Sequence, residues 1–210
     1  MPDVAPDSAA TAALLDAVRR GEPRALEDLL ARHRQGLRRF VESQFDPRLR
    51  AWADPSDVVQ DTQLEVARRM DEFLADPPMP FHLWLRRKAV DRLRNLRRDH
   101  LTRARRSVAR ERALPDPSAL LVAGPLLARG PSPSQQAQAG ELADRVARAV
   151  ARLGDADREV LALRHADDLT FEEIACLLGI EPAAARKRFG RALLRLQAAL
   201  RVEALREPPP

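Results

Sequence analysis

Apolar positions along this 210-residue chain recur mainly at spacings of three and four, the period of helices with one buried face. The first such block, LLDAVRRGEPRALEDLLARHRQGLRRFVESQF, breaks at Gly21 and restarts at Pro23, a first-turn proline. The second, DPSDVVQDTQLEVARRMDEF, is expected to open with Asp54 as cap and Pro55 as first helical residue. Val59, Thr62, Val66, Met70 and Phe73 form its core stripe. DPPMP stops that helix, and FHLWLRRKAVDRLRNLRRDHLTRARRSVARER resumes one from about Phe81. Residues 113–137 hold five prolines and two glycines, the composition of a linker. A last helical block follows, and REPPP ends the chain. The pattern predicts an all-α protein of two small helical domains, 12–112 and 139–202, joined by a flexible Pro-rich linker at 113–138. Residues 1–11 are expected to be a disordered tail and 203–210 a second tail.

Within the C-terminal block, LTFEEIACLLGIEPAAARKRFGRALLRL pairs Thr170 with Glu173 as a capping box. Gly179 supplies the left-handed residue that ends the helix, and Pro182 starts the next one. Ala175 is small where two crossing helices must approach closely. Ala185, Phe189, Ala192 and Leu196 then face inward, leaving Ala183, Arg186, Lys187, Gly190 and Arg191 on the opposite face. Helix, glycine turn and helix in this order predict a helix-turn-helix, whose second helix enters a major groove.

Charge sharpens that reading. The formal net charge is +5, yet residues 86–112 alone hold twelve Arg/Lys against three acids, and residues 182–201 hold six with no acid. The rest of the chain is therefore acidic. Two dense basic segments are the footprint of a nucleic-acid binder that touches its ligand at two places, against the plainer reading of two solvated helix faces. The helix from Asp54 differs: its outward face presents Asp57, Gln60, Asp61, Leu64 and Arg68. On pattern alone this is either an ordinary solvated face with one stray leucine or a docking surface anchored by Leu64.

Other chemistry is sparse. Cys176 is the single cysteine, read as a small buried residue. His33, His82, His100 and His165 have no ligand spacing, so no metal site or other cofactor is expected. No glycine-rich phosphate loop or activated nucleophile stands out, and no enzyme is expected. The sequence MPDVAPDSAATAALL lacks the basic and apolar regions of a secretory signal, and no apolar run is long enough to span a bilayer. A cytoplasmic protein without a membrane partner is expected. Trp52 is read as a core or boundary residue and Trp84 as packing the first domain's core.

The order DPSDVVQDTQLEVARRMDEF, FHLWLRRKAVDRLRNLRRDH, Pro-rich tether and LGDADREVLALRHADDLTFEEIACLLGIEPAAARKRFGRALLRLQAAL resembles bacterial RNA polymerase sigma factors of the extracytoplasmic-function group. The resemblance covers nearly everything except the tails and the linker. It implies that Asp57, Gln60 and Asp61, with Leu64 beside them, dock on core RNA polymerase. It implies that Phe81 to Arg98 melts and reads the minus-ten element of promoter DNA, through Trp84, Lys88, Arg92, Arg94, Asn95, Arg97 and Arg98. The helix-turn-helix would read the minus-thirty-five element through Ala183, Ala184, Arg186, Lys187 and Arg191. An anti-sigma protein is a further partner such a factor could have. The chain departs from the family at Asp91, where Asn is usual, at Asn95, where Asp is frequent, and at Glu181, where a serine cap is usual; its linker is long for the group. The alternative is a dimeric helix-turn-helix regulator that binds duplex operators without polymerase. That alternative leaves the Asp57–Leu64 face without a role. A third reading is a helical adaptor whose basic segments bind an acidic protein.

Overall fold

A computed structural model describes residues 4–46, 49–50, 52–106, 142 and 144–204. The linker expected at 113–138, and residues 205–210 of the tail expected at 203–210, lie outside these residues, while residues 203 and 204 end the last helix. The described residues contain helices and turns and no strand. They divide into two compact units, taken in turn.

In the N-terminal unit, α1 spans Ala9–Arg19, α2 Ala25–Gln44, α3 Pro55–Arg68, α4 Met70–Ala75 and α5 Phe81–Arg106. Helix α1 begins inside the segment expected to be a tail, because Ser8 caps it by accepting from the Thr11 amide at 3.3 Å. Gly21, at a φ of +69°, makes the left-handed turn that ends α1. Helix α3 starts as its sequence dictates: Asp54 accepts from the Ser56 amide at 2.7 Å, Asp57 accepts from the Asp54 amide, and Pro55 occupies the first turn. The expected single helix to Phe73 is instead interrupted at Arg69, whose amide is shared between the Glu65 and Val66 carbonyls. The Phe73 amide still reaches the Arg69 carbonyl at 3.1 Å, so the stripe stays in register.

That stripe is the core. Val58, Val59, Thr62, Val66, Met70 and Phe73 are all buried, and α3 packs on both α2 and α5. Gln63 donates to the Leu30 carbonyl at 3.0 Å, tying α3 to α2. Phe73 stacks on Trp84 with ring centroids 4.5 Å apart and meets Phe81 edge-on at 5.6 Å. Each such ring contributes about 1.5–3 kcal/mol by burial. Trp52, expected in the core or at its boundary, is instead 56% exposed, since it precedes the capped helix and lies off the stripe.

Helix α5 has no local side-chain cap, because proline occupies position 80. Its four first-turn amides are nonetheless all satisfied. The Leu83 and Trp84 amides donate to the Pro80 carbonyl, both at 3.0 Å. The Phe81 and His82 amides donate to the Asp7 carboxylate at 2.6 and 3.1 Å, and His82 Nδ1 lies 2.8 Å from the same group. Burial would raise the Asp7 pKa, but the bonds to the His82 ring and to the two amides outweigh it and hold the carboxyl below its ordinary value. The segment before α1 is therefore the cap of a helix that starts more than seventy residues later.

In the C-terminal unit, α6 covers residues 144–151, α7 spans Asp155–His165, α8 Phe171–Leu178 and α9 Pro182–Ala204. The core comprises Val146, Ala149, Val150, the run Val160 to Leu163, and residues of the last two helices. Three ion pairs lock α9 in place. Asp157, buried on α7, takes Arg195 at 2.6 Å, and the buried Glu203 takes both Arg148 of α6, at 3.1 Å, and Arg152 just beyond that helix. Arg195 thus belongs to the unit's framework.

Candidate nucleic-acid interfaces and docking face

The helix-turn-helix forms as its sequence prescribes. The Thr170 amide donates to Glu173 at 2.8 Å, and the Glu173 amide donates to the Thr170 hydroxyl at 3.1 Å, closing the capping box. Gly179 adopts a φ of +65°, and the Ile180 amide returns to the Ala175 carbonyl at 3.0 Å. This is the six-to-one bond of a Schellman turn. Ala185, Ala192 and Leu196 are buried, Phe189 is half-buried, and Ala175 is buried where the helices cross. Pro182 opens α9 as expected, and the Glu181 backbone carbonyl takes the first helical bond, from Ala185 at 3.0 Å.

Ala183, Ala184, Arg186, Lys187 and Arg191 are all exposed, on the face opposite the buried stripe. The structure therefore brings the whole expected upstream-reading set together on one surface. Both acids of α8 have partners within the motif. Glu173 is occupied by the capping box, and Glu172 holds Arg186 at 2.5 Å. The Arg186 guanidinium also lies 5.8 Å from the centre of the Phe171 ring. No signal in the sequence pairs residues 172 and 186.

The basic residues of α5 do not share one face. Lys88 and Arg92 point to α3, where Lys88 pairs with Glu65 at 3.1 Å and Arg92 with Asp61 at 2.7 Å. Lys88 lies 5.7 Å from the centre of the Trp84 ring, with its side chain largely covered. Arg97 donates to the Gln44 carbonyl at 2.6 Å and so caps the end of α2. Arg94, Asn95 and Arg98 face outward, with Arg98 donating to Asn95 at 3.0 Å and Arg94 4.0 Å from Asp91. Trp84 is a correction to the minus-ten set. It is 7% exposed and stacked on Phe73, so its ring is part of the core and offers no face to a base.

On α3, Asp57, Gln60 and Leu64 are exposed, with Leu64 at 48%, and Asp61 is half-exposed beside Arg92. One Asp57 oxygen serves the capping box and one Asp61 oxygen serves the ion pair. Among the described residues, Gln60, Leu64 and Arg68 are thus the members of this face that take no part in a cap or an ion pair. Among the described residues, no helix is long and apolar enough to cross a membrane.

A helix-turn-helix with an exposed cationic second helix is the architecture of a DNA-binding protein. The family model for sigma-70 region 4 matches residues 143–196, which contain that helix-turn-helix. The RNA polymerase sigma factor CnrH of Cupriavidus metallidurans is 34% identical over 180 residues, covering 86% of this chain and 88% of that protein. The ECF RNA polymerase sigma-E factor of Escherichia coli K12 is 27% identical over 185 residues, covering 85% and 88%. The solved structure of CnrH in complex with the cytosolic domain of CnrY superposes with a TM-score of 0.58 at 29% identity, covering 92% of this chain and 98% of that one. The chain belongs to the extracytoplasmic-function sigma factors of RNA polymerase. As such it is a transcription initiation factor that binds core polymerase and directs it to promoters, and the dimeric-regulator alternative finds no support among these relatives.

Proposed function

We propose that the exposed α3 face docks on core RNA polymerase, that α5 follows the minus-ten element, and that α9 reads the minus-thirty-five element. In this reading Leu64 is the apolar anchor, Gln60 a hydrogen-bonding neighbour, and Asp57 and Asp61 select a basic partner. Arg94, Asn95 and Arg98 meet the DNA from α5. Lys88 and Arg92 hold α5 on α3 through Glu65 and Asp61, and Arg97 positions the helix through the Gln44 carbonyl. Ala183 and Ala184 let the α9 backbone approach the groove while Arg186, Lys187 and Arg191 supply donors to bases and phosphates. The observation that supports this best is the coincidence of all five α9 residues on the one face its buried stripe leaves free.

Each unit alone binds DNA weakly. Held on polymerase, the two engage one promoter together, and effective concentration supplies the affinity. The factor acts in the cytoplasm, where polymerase works. An anti-sigma protein is a candidate partner, since CnrH is solved with the cytosolic domain of CnrY.

The test is run-off transcription with purified core polymerase and the full chain, on a template selected from a promoter library with the wild-type factor. Gln60→Ala and Leu64→Arg should abolish or strongly reduce promoter-specific transcript while leaving the fold unchanged by circular dichroism. Full activity of Leu64→Arg would overturn the docking assignment.

A further inference from the structure

Arg186 is the α9 cation held from two sides, and its partners come from the other helix of the motif. Glu172 Oε1 accepts from Nη2 at 2.5 Å, and the guanidinium carbon lies 5.8 Å from the centre of the Phe171 ring. Phe171 is itself fixed. It meets the Phe189 ring edge-on at 5.5 Å, and the Arg164 guanidinium lies 5.7 Å from its centre. Phe189 in turn contacts the His165 ring at 5.5 Å. The Arg186 head group thus rests against two α8 residues, of which Phe171 is braced by Arg164 of α7 and Phe189 of α9, while its side chain stays more than half exposed.

Two physical consequences follow. A free arginine on a helix surface loses rotamer entropy when it engages a base, whereas one already held loses less. The guanidinium has five N–H donors in a rigid fork, and Glu172 uses one, leaving enough for the paired O6 and N7 acceptors of guanine. The Glu172–Arg186 pair is also electrically neutral as a unit. Its contribution to sequence-independent attraction for phosphates is therefore small, and Glu172 disfavours any pose that places a phosphate against it. Lys187 and Arg191, exposed on the same face, have no carboxylate in contact among the described residues and suit phosphates.

We propose that Glu172 is a specificity-determining residue of this sigma factor, positioning Arg186 to read a guanine in the upstream promoter element. This rests on the reading of α9 as the upstream-element helix, and the experiment separates the two. Holoenzyme reconstituted from core polymerase and the full chain is presented with a library randomised across the upstream element. Affinity for the enriched sequence, each single base-pair variant and a scrambled element is then measured for wild type, Arg186→Ala, Glu172→Gln, Glu172→Ala and the double variant Glu172→Ala/Arg186→Ala.

The expected result is a guanine preference of roughly tenfold or more that Arg186→Ala removes at one base pair. Glu172→Ala should flatten the same base pair and no other, with affinity for the scrambled element unchanged or raised, and Glu172→Gln should fall between. The double variant should be no worse than Arg186→Ala alone, as expected of two residues acting as one unit. If Arg186→Ala removes a base preference that both Glu172 variants retain, the positioning role is overturned while the reading of α9 stands. Equal loss by Glu172→Ala on every sequence, the scrambled one included, would show a structural role only and also overturn it. If Arg186→Ala changes no preference at any base pair, the assignment of Arg186 as a reader fails and takes the proposal with it.

Discussion

Asp7 offers the sharpest test of how the N-terminal unit is built. Its carboxylate receives the Phe81 and His82 amides and the His82 ring, and its side chain is 13% exposed. Losing an N-cap acceptor costs about 0.5–2 kcal/mol, and hydrogen bonds to a charged acceptor contribute about 1.5–3 kcal/mol. For Asp7→Ala the loss should fall at about 2–3 kcal/mol, because two helix amides lose their acceptor at a partly buried site. At roughly 4–8 °C per kcal/mol for a unit of this size, the melting midpoint should drop by about 10–20 °C. Intrinsic fluorescence is the assay, since Trp52 and Trp84 both lie in this unit and report it alone. Asp7→Asn, which keeps one acceptor oxygen and loses the charge, should fall between. The Asp7 pKa is depressed in the folded state, so its contribution is present above the ordinary carboxylate value of 3.8 and is lost as pH falls through the lower folded value. Wild type and Asp7→Ala should therefore converge in strong acid. Midpoints at neutral pH within a degree or two of one another would refute the reasoning.

His33, 3.1 Å from the Thr11 hydroxyl and edge-on to Phe81, is held below its ordinary pKa of 6.5 by burial, with Asp7 opposing and His82, Arg32 and Arg86 reinforcing. The unfolded chain then takes up the proton first, so stability falls as pH drops below 6.5. The fluorescence midpoint should decline between about pH 7 and 5 more steeply in wild type than in His33→Gln, and parallel curves would count against it. Gly179→Ala places a side chain at a φ of +65°, which should cost about 1–2 kcal/mol and lower the circular-dichroism midpoint of the C-terminal unit. Trp84→Ala removes a buried ring stacked on Phe73 and should cost about 3–5 kcal/mol, whereas Trp84→Phe should retain promoter opening. Loss of opening in a well-folded Trp84→Phe would return the indole to the DNA-contacting set.

Much of the fold was legible in the sequence because its signals are local. The Asp54 cap, the Thr170–Glu173 box, Gly179 and the three- and four-residue spacing of Val59 to Phe73 act within a turn or two of backbone. The α9 face was legible for the same reason, as the complement of the Ala185–Ala192–Leu196 stripe. What escaped is contact across sequence distance. Nothing within a few residues of Asp7 announces a cap for α5, so a short polar segment read as a tail. The pairing of Glu172 with Arg186 depends on how two helices cross, which composition does not encode. The α5 cations read as a single DNA-facing set because charge alone cannot tell that Lys88, Arg92 and Arg97 have partners on neighbouring helices. The shift at Arg69 was hidden by a stripe that continues through it.

The Asp61–Arg92 bridge has a consequence for genetics. Alleles that fail to assemble with polymerase are customarily mapped as surface lesions, one position at a time. At Asp61 that mapping conflates two defects, because loss of the carboxylate strands a guanidinium on the helix behind it. A reciprocal exchange, Asp61→Arg together with Arg92→Asp, re-forms the bridge with inverted polarity. If that strain still fails to assemble, the fault lies in what the polymerase meets; if it recovers, the original lesion was internal.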